Sequence, residues 1–380
     1  VHFTCQQAEL HRALTHVSRA VARKSTLPVL TNVLLSAEEG ECRLAATNLE
    51  IAITASLPAR VVEPGRLAVR ADLLSEFVSS LPSDEVTLRM ERGSLTLGVS
   101  CGYSKANIKG VPPEDFPLLP HIGEQVPTAR VDADLLREMI GQVAFAAATD
   151  DSRPVLAGVL VELQGSTLTL AAADGFRLSV RSAELDQPVP ADLAIIVPAR
   201  SLLELARSMA DADGPIDLLV TPGQAQLLAR SGPVEFMSRL IDGHFPEFRQ
   251  IIPKTYTTRV VVSREAFLGA ARRAKIFAQS NNDVVRLQLL PGDSELDPGS
   301  VIVSAQAAEA GDNEDLLSAR VEGPRAQIAF NGRYLAEVLS VIKSPEVALE
   351  MTSPNAAGVF RAVGDPSFTH VVMPMVIGTI

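Results

Sequence analysis

The segment Leu27–Ile53, LPVLTNVLLSAEEGECRLAATNLEIAI, lies over Arg153–Ser179, RPVLAGVLVELQGSTLTLAAADGFRLS, without a gap at an offset of 126 residues. The offset places Pro28 on Pro154, Leu30 on Leu156, Leu34 on Leu160, Leu44 on Leu170 and Asn48 on Asp174. ADLL from Ala71 matches ARSLL from Ala199 with a slip of one residue, and DFP from Asp115 echoes HFP from His244. A third copy is more diverged, but VPARSLL from Val197 has a counterpart in AFNGRYL from Ala329. A repeat this long is a domain rather than a solenoid unit, which spans only about 20–50 residues. It divides the 380 residues into three units, 1–125, 126–254 and 255–380. Alternating stretches such as STLTLA from Ser166 predict strands, and two amphipathic segments per unit predict helices. The expected fold is α+β, in three tandem copies. Repeated domains favour quasi-symmetric assembly, and head-to-tail contacts close into rings when the rotation suits.

The net charge of −11 argues at first sight against a nucleic-acid partner. Six predicted helices, 8–24, 71–80, 133–148, 199–210, 263–279 and 332–343, nevertheless hold 13 Lys or Arg against 8 Asp or Glu. That surplus of five leaves the remaining chain at −16, so basic helices are set against acidic strands and loops. If the helices face one partner, it is anionic and weakly held, because each neutralised phosphate supplies only part of an affinity. The alternative is that these cations only solubilise exposed helix faces.

Cys5, Cys42 and Cys101 are far apart, without CxxC spacing or nearby His clusters, so neither a disulfide framework nor a zinc site is expected. No apolar run reaches 18 residues and no basic-then-apolar leader is visible, which predicts a cytoplasmic protein without a membrane partner. With 13 Phe, 3 Tyr and no Trp, the core must rest on Leu, Val, Ile and Ala. No phosphate-binding glycine loop, dinucleotide fingerprint, zincin helix or nucleophile elbow occurs, and no cofactor or metal is implied. The histidines, His2, His11, His16, His121, His244 and His370, are scattered and are expected mostly at the surface or at caps. The most enzyme-like feature is ADGFR from Ala173. The plainer reading is a strand-end turn capped by Asp174 and shaped by Gly175, a task that Asn48 can perform in the first copy.

Six motifs in order along the chain resemble the bacterial DNA polymerase III beta subunit, the beta sliding clamp family. They are TLPVL from Thr26, AADGFRLSV from Ala172, IVP from Ile196, DGHFPEF from Asp242, FNGRYL from Phe330 and VVMPM from Val371. The resemblance spans the whole chain. It implies a DNA-clamp fold, each domain carrying two helices packed on antiparallel sheets, and a head-to-tail homodimeric ring that encircles duplex DNA regardless of sequence. It further implies that the protein is a non-enzymatic processivity factor. Its partners would be the polymerase III alpha subunit, the clamp loader, other polymerases and repair proteins, all carrying clamp-binding motifs.

The resemblance places a partner-peptide pocket between the second and third domains. From the second domain it would use Leu156, Ala173, Gly175, Phe176, Arg177 and Leu178, followed by Pro246, Gln250 and Ile251 in the linker. From the third it would use Asn331, Tyr334, Val371, Met373, Pro374 and Met375. Leu, Ile and Met make an adaptable apolar cavity, while Arg177, Asn331 and Tyr334 are expected to hydrogen-bond peptide amides. Departures from the family pattern fall at Phe176, at Gln250 and in Val376–Ile380. The expected DNA-facing cations are Arg19, Arg23, Lys24, Arg153, Arg200, Arg272 and Lys275. The expected dimer contact sets Ala106 and Ile108 against Ile276 and Phe277, with Lys105 and Lys109 facing Glu309, Asp312, Glu314 and Asp315. Two rival readings are an enzyme using Asp174 and Arg177, and a three-domain adaptor that never touches DNA.

Overall fold

The computed structural model describes residues 1–376 apart from 23–24, 39, 92, 120–124, 151, 213, 295–296 and 308–310, and without the side chains of 293, 294 and 297. Among the described residues there are six α-helices: α1 Gln7–Val17, α2 Ala71–Ser80, α3 Ala133–Val143, α4 Ala199–Ser208, α5 Arg264–Ala278 and α6 Gly332–Val341. α2, α4 and α6 each follow directly on a six-residue strand: Gly65–Arg70, Leu193–Pro198 and Ala326–Asn331. α1, α3 and α5 likewise follow the strands His2–Gln6, Ala129–Val131 and Thr258–Ser263. The two-helix unit therefore occurs three times.

The 126-residue offset holds element by element. Strands Asn32–Glu38, Glu41–Thr47 and Ile51–Pro58 recur as Gly158–Gln164, Thr167–Ala173 and Arg177–Glu184. The turn before the last of each trio is built alike. Asn48 Oδ1 accepts from the N–H groups of Glu50 and Ile51, and Asp174 Oδ1 accepts from those of Phe176 and Arg177. Residue 49 or 175 must then adopt a left-handed backbone. Gly175 does so freely at φ +95°, whereas Leu49 does so at φ +75° against the steric preference of a side chain.

Contacts group the chain into two compact units, Val1–Arg137 with Arg200–Leu240, and Glu138–Ala199 with Ile241–Ile380. The first holds a 13-stranded sheet and the second a 12-stranded sheet, with every recorded strand pair antiparallel. In each sheet one strand pair joins two sequence repeats: Ile51–Pro58 with Val234–Arg239, and Arg177–Glu184 with Asp365–Val372. The middle repeat thus contributes strands to both sheets. Backbone hydrogen bonding continues across the repeat boundary because both partners are edge strands that would otherwise leave donors unpaired.

In the second unit, α5 and α6 bury Phe267, Ala270, Ala274, Leu335 and Val338 against Phe330, Phe360 and Phe368. The aliphatic core expected from composition is thus supplemented by phenylalanines. Phe3, Phe236, Phe267, Phe330, Phe360 and Phe368 are all fully buried.

The helices are shorter than the periodicity predicts. α1 stops at Val17 and tightens into a 3-10 turn, Ser18–Ala20, and α3 does the same over Ala144–Ala146. The tighter turn satisfies terminal carbonyls locally, as when the Val21 N–H donates to Ser18 O. The shortening removes most of the predicted basic surplus, since the six observed helices carry nine Lys or Arg against eight Asp or Glu. Several of those cations are also paired at once, Arg12 with Glu9, Arg137 with Asp134, Arg207 with Glu204 and Arg273 with Asp315.

Candidate functional site

The expected peptide site is assembled within the second unit from a turn, a strand end and a helix start. Across the 174–176 turn Ala173 pairs with Leu178, and the next strand brings Val371 beside Leu178 and Val372 beside Arg177. The chain leaving that strand stays pinned: Met373 N–H donates to Phe176 O and Met375 N–H to Ala329 O, both at 2.8 Å. Leu178, Val371 and Ala173 share a core cluster with Leu160 and Phe248. Phe248 anchors the linker in which Pro246, Gln250 and Ile251 are exposed, and the Ile251 N–H donates to its carbonyl at 3.0 Å. Above this floor stand large apolar side chains in water, Phe176 at 59%, Ile251 at 48% and Met373 at 45% exposure. Such a group at the surface needs a partner more than an isolated exposed leucine does.

Leu156 lies half-buried in the 3-10 turn Pro154–Ala157, and Pro374 and Met375 are also half-buried. Arg153, one of the cations expected to face DNA, lies beside this turn. Its guanidinium sits over Gly175 so closely that a Cβ there would lie 2.8 Å from Nη1, and Asp150 pairs with it at 3.4 Å.

Arg177 does not have the role expected of it. The Arg177 side chain is only 5% exposed. Its Nε donates to Asp174 at 3.0 Å, one terminal nitrogen to Glu337 and the other to the Phe145 carbonyl at 2.6 Å. Its guanidinium lies between two rings, 4.2 Å from the Tyr334 centroid and 5.2 Å from that of Phe145. Every face is occupied, so Arg177 orders the site wall rather than offering donors to a peptide. Asn331 Oδ1 accepts from the N–H groups of Arg333 and Tyr334, so this side chain caps α6. Spacing cannot reveal the Arg177 commitment, because Phe145, Tyr334 and Glu337 meet it only in the folded chain.

Sequence reasoning missed His370. It is fully buried, its ring stacks on Phe145 at 5.4 Å, and neither nitrogen has a partner among the described residues. Burial, and secondarily the Arg177 charge, push it down to about 3. A folded value below the unfolded one means that the unfolded chain takes up the proton first. The associated stability is therefore complete above about pH 6.5 and is lost as pH falls toward 3. We expect His370→Phe to melt no lower than the wild type at pH 7, since no hydrogen bond is sacrificed. Between pH 7 and pH 5 the wild type should lose about 2 kcal/mol relative to this variant. Parallel denaturation curves of the two proteins at both pH values would contradict the assignment.

Of the other expected cations, Arg200 and Arg272 are exposed and Lys275 is half-buried. None of the three has an ion-pair partner among the described residues. Arg19 approaches Glu204 only at 4.0 Å. Arg23 and Lys24 lie outside the described residues.

At the expected dimer contact, Lys105 is exposed and Ala106 half-buried, but Ile108 is buried at 5% exposure on the inward face of its strand. Strand alternation makes Ile108 core rather than interface. Lys109 is exposed but already engaged, donating to Thr96 Oγ1 at 2.9 Å. Ile276 is 67% exposed, whereas Phe277 packs against the core of its unit. Of the acidic run, Asp315 is bound by Arg273 at 2.7 Å, and Glu309 lies outside the described residues.

Asp174 serves the turn and Arg177 together, which accounts for the enzyme-like ADGFR sequence without any reacting group. Among the described residues no cluster of His, Cys, Asp or Glu could hold a metal ion, and no helix is long and apolar enough to cross a membrane.

Models of the DNA polymerase III beta subunit match in chain order, its N-terminal domain over residues 1–120, central domain over 130–247 and C-terminal domain over 249–376. The chain belongs to the beta sliding clamp family. The beta sliding clamp of Synechococcus elongatus is 33% identical over 98% of both chains, and that of Pseudomonas putida 32% identical over 99% of this chain and all of the relative. The DNA polymerase sliding clamp of Bacillus subtilis superposes with a TM-score of 0.93 at 27% identity, covering 99% of each chain. That of Pseudomonas aeruginosa superposes at 0.90 and 31% identity over the same share. The protein has the clamp fold and the function of a replicative sliding clamp, a processivity factor rather than an enzyme.

Proposed function

We propose that two copies join head to tail into a ring of six domains, 1–125, 126–254 and 255–380 from each chain, encircling duplex DNA. The ring would carry the polymerase III alpha subunit, the clamp loader, other polymerases and repair proteins on the surface around Phe176, Met373 and Tyr334. The observation that carries this reading is the match of all three beta-subunit domains, in order, over nearly the whole chain. The near-neutral helices favour it over a tight DNA binder, because few unpaired cations give a loose contact that must be topological to last. Phosphate contacts would make it indifferent to sequence.

The test is topological. The protein should elute near twice 40.4 kDa, stay on nicked circular DNA once loaded, and fall off when the circle is cut. Equal retention on linear and circular DNA would replace encirclement with ordinary binding, and a monomer never retained would favour the adaptor reading.

A further inference from the structure

Among the described residues Phe176 is the one phenylalanine that stands mostly in water, at 59% exposure. Its backbone is fixed from both sides. The N–H donates to Asp174 Oδ1 at 2.9 Å, and the carbonyl accepts from the Met373 N–H at 2.8 Å. Gly175 before it holds φ +95° under the Arg153 guanidinium. The ring itself stacks on no other ring and lies under no guanidinium among the described residues. With its N–H and carbonyl already engaged, Phe176 has apolar surface left to offer a ligand.

Both cations at this turn are committed as well. Arg153 pairs with Asp150 at 3.4 Å, and Arg177, 5% exposed, is held by Asp174 and Glu337. On the linker Arg249 pairs with Glu162, whereas exposed Asp242 and Glu247 have no ion-pair partner among the described residues. Lys254, further along the linker, and Arg333, over the Tyr334 ring at 5.3 Å, formally balance those two charges. A carboxylate laid on the Phe176 ring would therefore lose water without gaining a partner, while an aliphatic or aromatic side chain would bury area on both sides.

We propose that Phe176 is a specificity-determining residue of the peptide site, selecting partner segments that place an aliphatic or aromatic side chain over its ring and rejecting those that place a carboxylate there. The inference rests on the reading of this surface as the partner-peptide site and deepens it. Selection is by apolar burial and desolvation, which salt does not screen.

The experiment is a positional scan by fluorescence anisotropy on the full-length protein. The probe is a labelled polymerase III alpha-subunit peptide carrying its clamp-binding motif, with each motif residue set in turn to Leu, Phe, Asn or Asp. At one position a preference for Leu and Phe over Asn and Asp, about fivefold or more, should disappear in Phe176→Ala and persist in Phe176→Leu, while preferences at the other positions stay as they are. Both variants keep the two backbone bonds, and circular dichroism checks that they fold. The ratio of Leu to Asp affinity at that position should be the same at about 0.05 M and about 0.5 M NaCl. A scan in which Phe176→Ala changes no positional preference would overturn the proposal. So would a preference for Asp, or one that fades at high salt, since either assigns the selection to charge. Met373→Ala combined with Met375→Ala is titrated alongside. Peptides indifferent to that pair bind elsewhere and remove the peptide-site reading together with the proposal. Peptides weakened by it, yet scanned alike by the wild type and Phe176→Ala, overturn the proposal alone.

Discussion

Ile276→Asp is expected to turn the dimer into a folded monomer. The residue projects from α5 with 67% of its surface in water, while Phe267, Ala270, Ala271, Ala274 and Ala278 on the opposite face fill the core. An aspartate at this position leaves that core untouched. In a ring closed by two identical contacts the substitution counts twice, and burying an isoleucine contributes about 1.5–3 kcal/mol each time. Weakening of the dimer by about a thousandfold or more follows, roughly 4 kcal/mol, before any cost of desolvating the carboxylate. Phe277 is a poor place for the same change because it packs against the core, so Phe277→Asp would confound unfolding with dissociation. Sedimentation velocity with circular dichroism on the same sample decides the matter. A native-like spectrum with an undiminished dimer would remove Ile276 from the interface.

Met373→Ala combined with Met375→Ala is expected to weaken a clamp-binding peptide at least tenfold, about 1.4 kcal/mol, while dimerisation and retention on circular DNA persist. The geometry separates the side-chain contribution from the backbone one. Both residues are held through main-chain N–H groups, to Phe176 O and Ala329 O, and alanine keeps those bonds. What disappears is the flexible apolar surface beside exposed Phe176 and Ile251, the kind of surface on which a few side chains carry most of an affinity. Peptide titration by fluorescence anisotropy beside gel filtration would show it. Unchanged affinity in a folded dimer would place the peptide elsewhere and leave the family assignment standing.

The two junctions between repeats help explain why a peptide site is expected at only one. The Met373-to-Phe176 hydrogen bond has a counterpart in the first unit, where Arg239 N–H donates to Glu50 O at 2.9 Å. The repeat thus builds the same backbone cradle twice. At the second junction it displays Gly175, Phe176 and Met373, and at the first Leu49, Glu50 and Arg239. An apolar side chain finds little purchase on the latter set.

The sequence alone determined the three-fold repetition, the α+β class and the family. These follow from local periodicity and from residues whose roles depend on near neighbours, as with Asn48 and Asp174 each capping its own turn. Folding decided which side chains are available. Ile108 is core because its strand alternates inward; Arg153 lies against Gly175 because its turn folds over it; the helices are nearly neutral because the first and third end early. Phe145, Arg177 and His370 form one stack, with Glu337 bonded at its rim, although 225 positions separate its ends. Charge and hydrophobicity are properties of a residue and can be read in order along a chain. Burial and pairing are properties of what the fold sets against it, and only the tertiary structure fixes those.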